Sequence, residues 1–220
     1  MGDNKRTLVL FPGTWGNRSE VYVKWWFRHV IARFSRWNIV IVTYKGNTID
    51  EYVQHALKVL KDVPDNSYAI CYSAGAQYAR GVCSARPALF HKVALLSGME
   101  RFGVRFRVLL NGLMAAFLPL VRCLFGKPLQ LDNVKQVQSI LFGGTSERDA
   151  DKLSQEIFDK RLHPEPWRVT LRLTLPLVRK RMPPFPCRVM AAVPDRDFFF
   201  PKGATYPGEE VNKLHPSGDH

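Results

Sequence analysis

Tyr68-Ala69-Ile70-Cys71-Tyr72-Ser73-Ala74-Gly75 is the stretch that decides how the rest of the chain is read. An apolar run of strand character ends on a serine, with a small residue two positions before it (Cys71) and another two positions after it (Gly75). The segment behind it, 76–86, is rich in alanine and reads as a helix. Strand, serine at a tight turn, then helix is the layout of a nucleophile elbow, in which the turn pushes the hydroxyl into the open. The flanking positions must be small because such a turn brings their backbones close to neighbouring chain. The helix N-terminus then lies under the serine, and its free N–H groups can meet a developing oxyanion. A plain strand-loop-helix turn looks similar, so the motif needs support from elsewhere in the chain.

Upstream, 7–11 (TLVLF) is a short apolar strand closed by Pro12-Gly13, and FPGTWGN forms a turn-rich loop after it. Periodicity predicts a helix over 18–35: Val23, Trp26, Phe27, Val30, Ile31 and Phe34 share one face, while Lys24, Arg28, Arg33 and Arg36 share the other. Trp25 and Trp26 read as packing residues. The β-branched run 38–44 (NIVIVTY) predicts a strand buried on both faces of a parallel sheet. Asp50 caps or opens a second helix reaching to about 61, and Pro64-Asp65-Asn66 turns the chain into the strand that ends at Ser73. Residues 92–96 (KVALL) make the next strand. This alternation predicts an α/β fold with a mostly parallel sheet flanked by helices. In such sheets the ligand site lies beyond the C-terminal strand ends, where both the loop after Phe11 and Ser73 fall.

From Met99 the alternation stops. Residues 108–121 are apolar on all sides but make only about half a membrane span, and Arg105, Arg107 and Arg122 flank them. Residues 132–182 are polar and mostly helical in pattern. The chain therefore divides into 1–98, an N-terminal part of the core; 99–185, a helical cap insertion over the strand ends; and 186–220, where the core resumes. Pro183-Pro184-Phe185-Pro186 is the return linker. A strand at 187–193 is followed by Pro194-Asp195-Arg196-Asp197, and a last short strand, 210–214, leads to His215 and His220.

With 220 residues, 46% of them hydrophobic, the chain suits one domain with a full core. Lys and Arg number 32 against 19 acids, a net charge of +13, and the excess is spread over the chain up to residue 186. That balance favours anionic partners, and without a nucleic-acid motif it points to an anionic membrane surface before nucleic acid. The bland alternative is a well-solvated basic protein. Cys71, Cys83, Cys123 and Cys187 show no paired spacing, which fits reduced thiols in the cytoplasm. The N-terminus has no signal-type apolar core, and Arg6 stands where myristoylation after Gly2 needs Ser or Thr. No histidine pair has metal-ligand spacing, and no cofactor motif is present.

An activated serine needs a base, and the base needs an acid to fix its tautomer. Asp197 and His220 each follow a predicted strand, in the order Ser, Asp, His. Asp195 is the alternative acid and His215 the alternative base. Four segments resemble those of the α/β-hydrolase family, specifically its small lipase- and esterase-like members with a helical cap. FPGTWGN is similar to the oxyanion loop, with Phe11-Pro12 where histidine is usual. CYSAG is similar to the elbow, with Cys71 where glycine is commoner. VPDRDFFFP is similar to the acid segment, in which the aspartate precedes a proline by four positions, as Asp197 precedes Pro201. SGDH is similar to the segment that carries the histidine, although the family continues into a helix that does not follow His220 here.

The resemblance implies Ser73 as nucleophile, His220 as general base, Asp197 as the residue orienting it, and the N–H groups of Ala74 and Thr14 as the oxyanion hole, with Trp15 next in line for Thr14. It implies acyl transfer through an acyl-serine on a small-molecule ester or lipid-like substrate. An acyltransferase or thioesterase would use the same triad. A catalytically silent protein of this fold, binding an anionic membrane or a protein partner, is the competing expectation.

Overall fold

A computed structural model describes residues 5–13, 19–96, 182–192 and 211–214. Its strands are β1 (Thr7–Phe11), β2 (Asn38–Ile41), β3 (Ser67–Tyr72), β4 (Phe90–Leu96), β5 (Arg188–Ala192) and β6 (Val211–Leu214). They form one sheet in the order β2-β1-β3-β4-β5-β6, with every pair parallel. The chain starts in β1, steps out to β2, crosses back to β3 on the other side of β1, and then proceeds in one direction. The strand order therefore reverses between β1 and β3, which is where open sheets of this class leave a crevice at their C-terminal ends.

The helices are α1 (Glu20–Trp26), α2 (Arg28–Arg33), α3 (Ile49–Val59) and α4 (Gly75–Ala85). Alternation along the strands sends side chains to two separate cores. Val9, Phe11, Ala69, Cys71, Val93, Leu95, Val189 and Ala191 pack with the buried faces of α3 and α4. Leu8 and Leu10, with half-buried Ile70 and Tyr72, pack with Val23 and Phe27 of the α1–α2 segment. Each fully buried large apolar side chain contributes roughly 1.5–3 kcal/mol. Phe185, from the proline-rich stretch before β5, is buried against the first core, and the guanidinium of Arg80 lies 4.9 Å from its ring centre. Arg80 is only 1% exposed, the largest of the fully buried side chains.

Three local expectations need correction. The helix expected over 18–35 is two helices, because Phe27 leaves helical geometry (φ −91°, ψ 14°) while burying its ring against the sheet. The hydrogen bonds nevertheless continue across it, from Phe27 N–H to Val23 O and from Ile31 N–H to Phe27 O. β2 ends at Ile41 and is half-buried rather than buried on both faces, because it is the outermost strand with a neighbour on one side only. Thr48, not Asp50, caps α3: Thr48 Oγ1 accepts from Glu51 N–H and the Glu51 carboxylate accepts from Thr48 N–H. The cap insertion and the boundaries at 98 and 185 fall largely outside the described residues.

Arg86, at the C-terminal end of α4, donates to Leu60 O and Val63 O, both at 2.8 Å, and pairs with Asp65 at 2.5 Å. It thus ties α4 to the turn that launches β3. Arg86→Met should lower unfolding stability by about 2 kcal/mol in urea titration, because two carbonyls lose charged donors. Asp65→Asn should cost well under about 1 kcal/mol, since that pair is solvent-screened.

Candidate active site

The serine sits where the chain leaves β3 for α4. Ser73 has φ +48°, the left-handed region that L-residues rarely occupy, while Ala74 is already helical (φ −60°, ψ −19°). One left-handed residue between strand and helix reverses the chain direction within a single step and leaves the Ser73 side chain half-exposed. The turn is held from both sides. Ser73 N–H donates to Leu96 O at the end of β4 (3.0 Å), and Ser73 O accepts from Ala76 N–H (3.2 Å). A non-glycine residue in such a conformation costs of order 1–3 kcal/mol and persists only where its surroundings over-determine it.

Gly75 explains the small residue after the serine. A Cβ there would stand 2.5 Å from Phe11 O and 2.6 Å from Pro12 O, so the first residue of α4 is pressed against the end of β1. Gly13 makes the second close approach. A Cβ on it would lie 3.1 Å from the Tyr72 ring and 3.4 Å from Ser73 Cβ. The loop leaving β1 therefore passes directly beside the serine. Ala74 offers no side-chain cap to α4, and among the described residues its N–H donates to none. Among the described residues the Ala74 N–H is thus left without an acceptor at the start of α4, beside the serine hydroxyl, a geometry suited to receiving developing negative charge.

Cys71 occupies the small position before the serine. It is fully buried opposite Phe11, and burial, with Cys83 nearby, pushes its thiol well above the ordinary range although Arg80 pulls the other way. It is a packing residue rather than a rival nucleophile. Deeper in the same core, the Tyr44 and Tyr52 rings stack at 4.8 Å between centres, and Tyr78 packs at an angle against both, 4.6 and 5.3 Å away. Burial first, then Tyr78, raises the Tyr44 hydroxyl well above its usual range. Nothing in the sequence grouped these tyrosines, since they come from three separate segments. On the opposite face of β3, Tyr72 packs on Trp26 with ring centres 4.7 Å apart, which places Trp26 in packing as expected.

Of the residues assigned to the site from sequence, Ser73 and Ala74 occupy one turn, with Gly13 of the expected oxyanion loop against them. Thr14, Asp197 and His220 lie outside the described residues, as do Trp15, Asp195 and His215. Among the described residues, no three His, Cys, Asp or Glu side chains converge as a metal site. No described helix is long and apolar enough to cross a membrane.

No family model matches the sequence, and no curated protein matches it. Solved structures do match in three dimensions. A 2-hydroxy-6-oxo-6-phenylhexa-2,4-dienoate hydrolase (BphD) from Rhodococcus sp. strain RHA1 is similar with a TM-score of 0.69 at 14% identity, over 98% of this chain and 84% of that one. An esterase from Rhodococcus sp. ECU1013 is similar with a TM-score of 0.65 at 14% identity, over 100% of this chain and 85% of that one. A hydrolase from Oleispira antarctica gives 0.67 at 9% identity, over 99% and 85%. Together with the parallel sheet and the strand-to-helix turn at Ser73, these likenesses establish that the chain has the α/β-hydrolase fold.

Two predictions come from this geometry. Ser73→Gly should be more stable than Ser73→Ala by about 1 kcal/mol in thermal or urea unfolding, because only glycine relieves the left-handed backbone. The pH dependence follows from Cys71 and Tyr44, whose folded-state pKa values are raised. The unfolded chain loses these protons first, so stability should hold below roughly pH 8.5 and fall as pH rises above it. In Cys71→Ala the early part of that alkaline fall should be shallower.

Proposed function

We propose that this protein is a serine hydrolase that cleaves ester bonds of apolar acyl substrates through an acyl-serine intermediate. The observation that carries the reading is the left-handed Ser73 between β3 and α4, with Gly13 beside it and the Ala74 N–H without an acceptor among the described residues. Strained backbone of this kind is kept where it presents a reacting group. The similar structures, a hydrolase named for a phenylhexadienoate and an esterase among them, add support through the fold.

In this reading the Ser73 hydroxyl attacks the acyl carbon while His220 takes its proton, with Asp197 holding the other ring nitrogen. The tetrahedral oxyanion is received by the N–H groups of Ala74 and Thr14, each donor contributing ~10²–10³ in rate. His220 then returns the proton to the leaving alcohol, and water resolves the acyl-serine by the same steps in reverse. An alcohol or thiol in place of water would make the protein a transferase, which product analysis with added acceptors separates. Residues 99–185 are proposed to cover the strand ends and to give the substrate its apolar surroundings. The reduced thiols suit a cytoplasmic setting.

A fluorophosphonate probe should label the wild-type protein, and Ser73→Ala should abolish the labelling while the variant keeps its folded circular dichroism spectrum. Equal labelling of the variant would remove Ser73 from the nucleophile role. Absence of labelling in the wild type, with a folded spectrum, would favour the catalytically silent alternative.

A further inference from the structure

We propose that the outer face of the α1–α2 segment is a docking surface for anionic lipid, which brings the Ser73 end of the sheet to the rim of a membrane. The substrate half of this inference, a membrane-borne acyl ester, rests on the hydrolase reading; the docking surface does not.

The hydrogen bonds that bridge Phe27 keep one side of the two helices in line. Val21, Trp25, Arg28 and Ala32 recur every three or four residues and so share the outward stripe, and Arg36 follows it, exposed in the turn after α2. Val21 is 63% exposed, a rare apolar side chain left open to solvent among the described residues. Trp25 is half-exposed, and the exposed Arg28 lies over its ring with its guanidinium 4.7 Å from the ring centre. Arg28 Nη1 also donates to Trp25 O at 2.9 Å. The pair presents an aromatic plate and a fixed positive charge side by side, the two groups that anchor proteins at the headgroup level.

Charge selects the partner. Across residues 19–37 the acids amount to Glu20 alone, which pairs with Lys24 at 2.7 Å. Arg28, Arg33 and Arg36 all stand exposed, and the exposed Arg6, with its guanidinium 5.6 Å from the Trp37 ring centre, adds to the positive field. A second copy of this chain would bring the same charge against it. An anionic lipid surface complements it and accepts the Trp25 ring and Val21 shallowly, since the larger apolar side of these helices is already spent on the sheet. The α1 end of the stripe also adjoins the candidate site, while Arg36 and Arg6 lie before the starts of β2 and β1, at the other end of the sheet. The connection from Gly13 leads into α1, and Trp26 packs on Tyr72, the residue before Ser73.

The test is flotation of the full chain with phosphatidylcholine vesicles that contain, or lack, about 30 mol% phosphatidylserine. Binding should require phosphatidylserine and weaken steeply between about 0.05 and about 0.3 M salt. The triple variant Arg28→Gln, Arg33→Gln, Arg36→Gln should bind on the order of a hundredfold more weakly, at about fivefold per charge. Turnover of p-nitrophenyl acetate, a soluble ester, should be unchanged in that variant. Trp25→Ala should bind several-fold more weakly at every salt concentration. Equal binding by the triple variant, or equal binding to vesicles without phosphatidylserine, would overturn the proposal. So would a single-stranded RNA oligonucleotide that binds more tightly than the vesicles and displaces them. A wild type that floats but does not turn over p-nitrophenyl acetate would support the surface and count against the hydrolase reading alone.

Discussion

The contact on which the rest depends is the approach of α4 to β1 at Gly75. The space between that α-carbon and the carbonyls of Phe11 and Pro12 admits no side chain. This fixes where α4 begins, and β3 ends three positions earlier, at Tyr72, against the same strand. The chain closes that gap by passing through the left-handed region at Ser73. Strain at the serine is thus set by packing between a helix and a strand, and the sheet pairing of β1 with both β2 and β3 supplies the rigidity that maintains it. The strand order also reverses between β1 and β3, the place where open sheets of this class leave a crevice at their C-terminal ends, and the serine follows β3 there.

Around this point the molecule separates two kinds of chemistry. Beneath the serine, on the α3–α4 side, lie groups held neutral by burial: the Cys71 thiol and the Tyr44 hydroxyl within its tyrosine stack. On the α1–α2 side the strand face is apolar, while the outer helix surface carries Arg28, Arg33 and Arg36. The positive charge of these two helices and the turn after them is therefore displayed outward, while Arg80 alone among the described arginines is buried in the core beneath the serine. A docking role for one surface and a reacting role for the neighbouring strand end are compatible because they use different elements, the outer face of α1 and α2 and the turn between β3 and α4.

Much of the fold was readable from residues because its signals are local. Alternating apolar runs and amphipathic segments placed β1, β3, β4 and the helix after Ser73 to within a residue or two, and the spacing of Cys71, Ser73 and Gly75 located the elbow. The Thr48-to-Glu51 capping box was also present in the sequence, and Asp50 drew attention from it. What could not be read depends on distant partners. An apolar run such as 38–44 has the same appearance in an edge strand as in a central one, so the half-burial of β2 follows only from the strand order. The break at Phe27 leaves helical periodicity undisturbed, since its hydrogen bonds run through it. Gly13 meets Tyr72 because β1 and β3 are neighbours, which no spacing along the chain encodes. Of the candidate site, the strand-to-helix turn at Ser73 was legible from the motif itself, and the oxyanion roles of Ala74 and the loop after Phe11 came from the likeness to a family pattern. The acid and base were assigned through their order and their likeness to a family pattern.

The most direct test of this account is rapid acid quench of the protein with p-nitrophenyl butyrate, followed by intact mass and peptide mapping. The account predicts a transient butyryl adduct carried by the peptide containing Ser73, and its absence in Ser73→Ala. An adduct on Cys71 or elsewhere, with Ser73 unmodified, would contradict it.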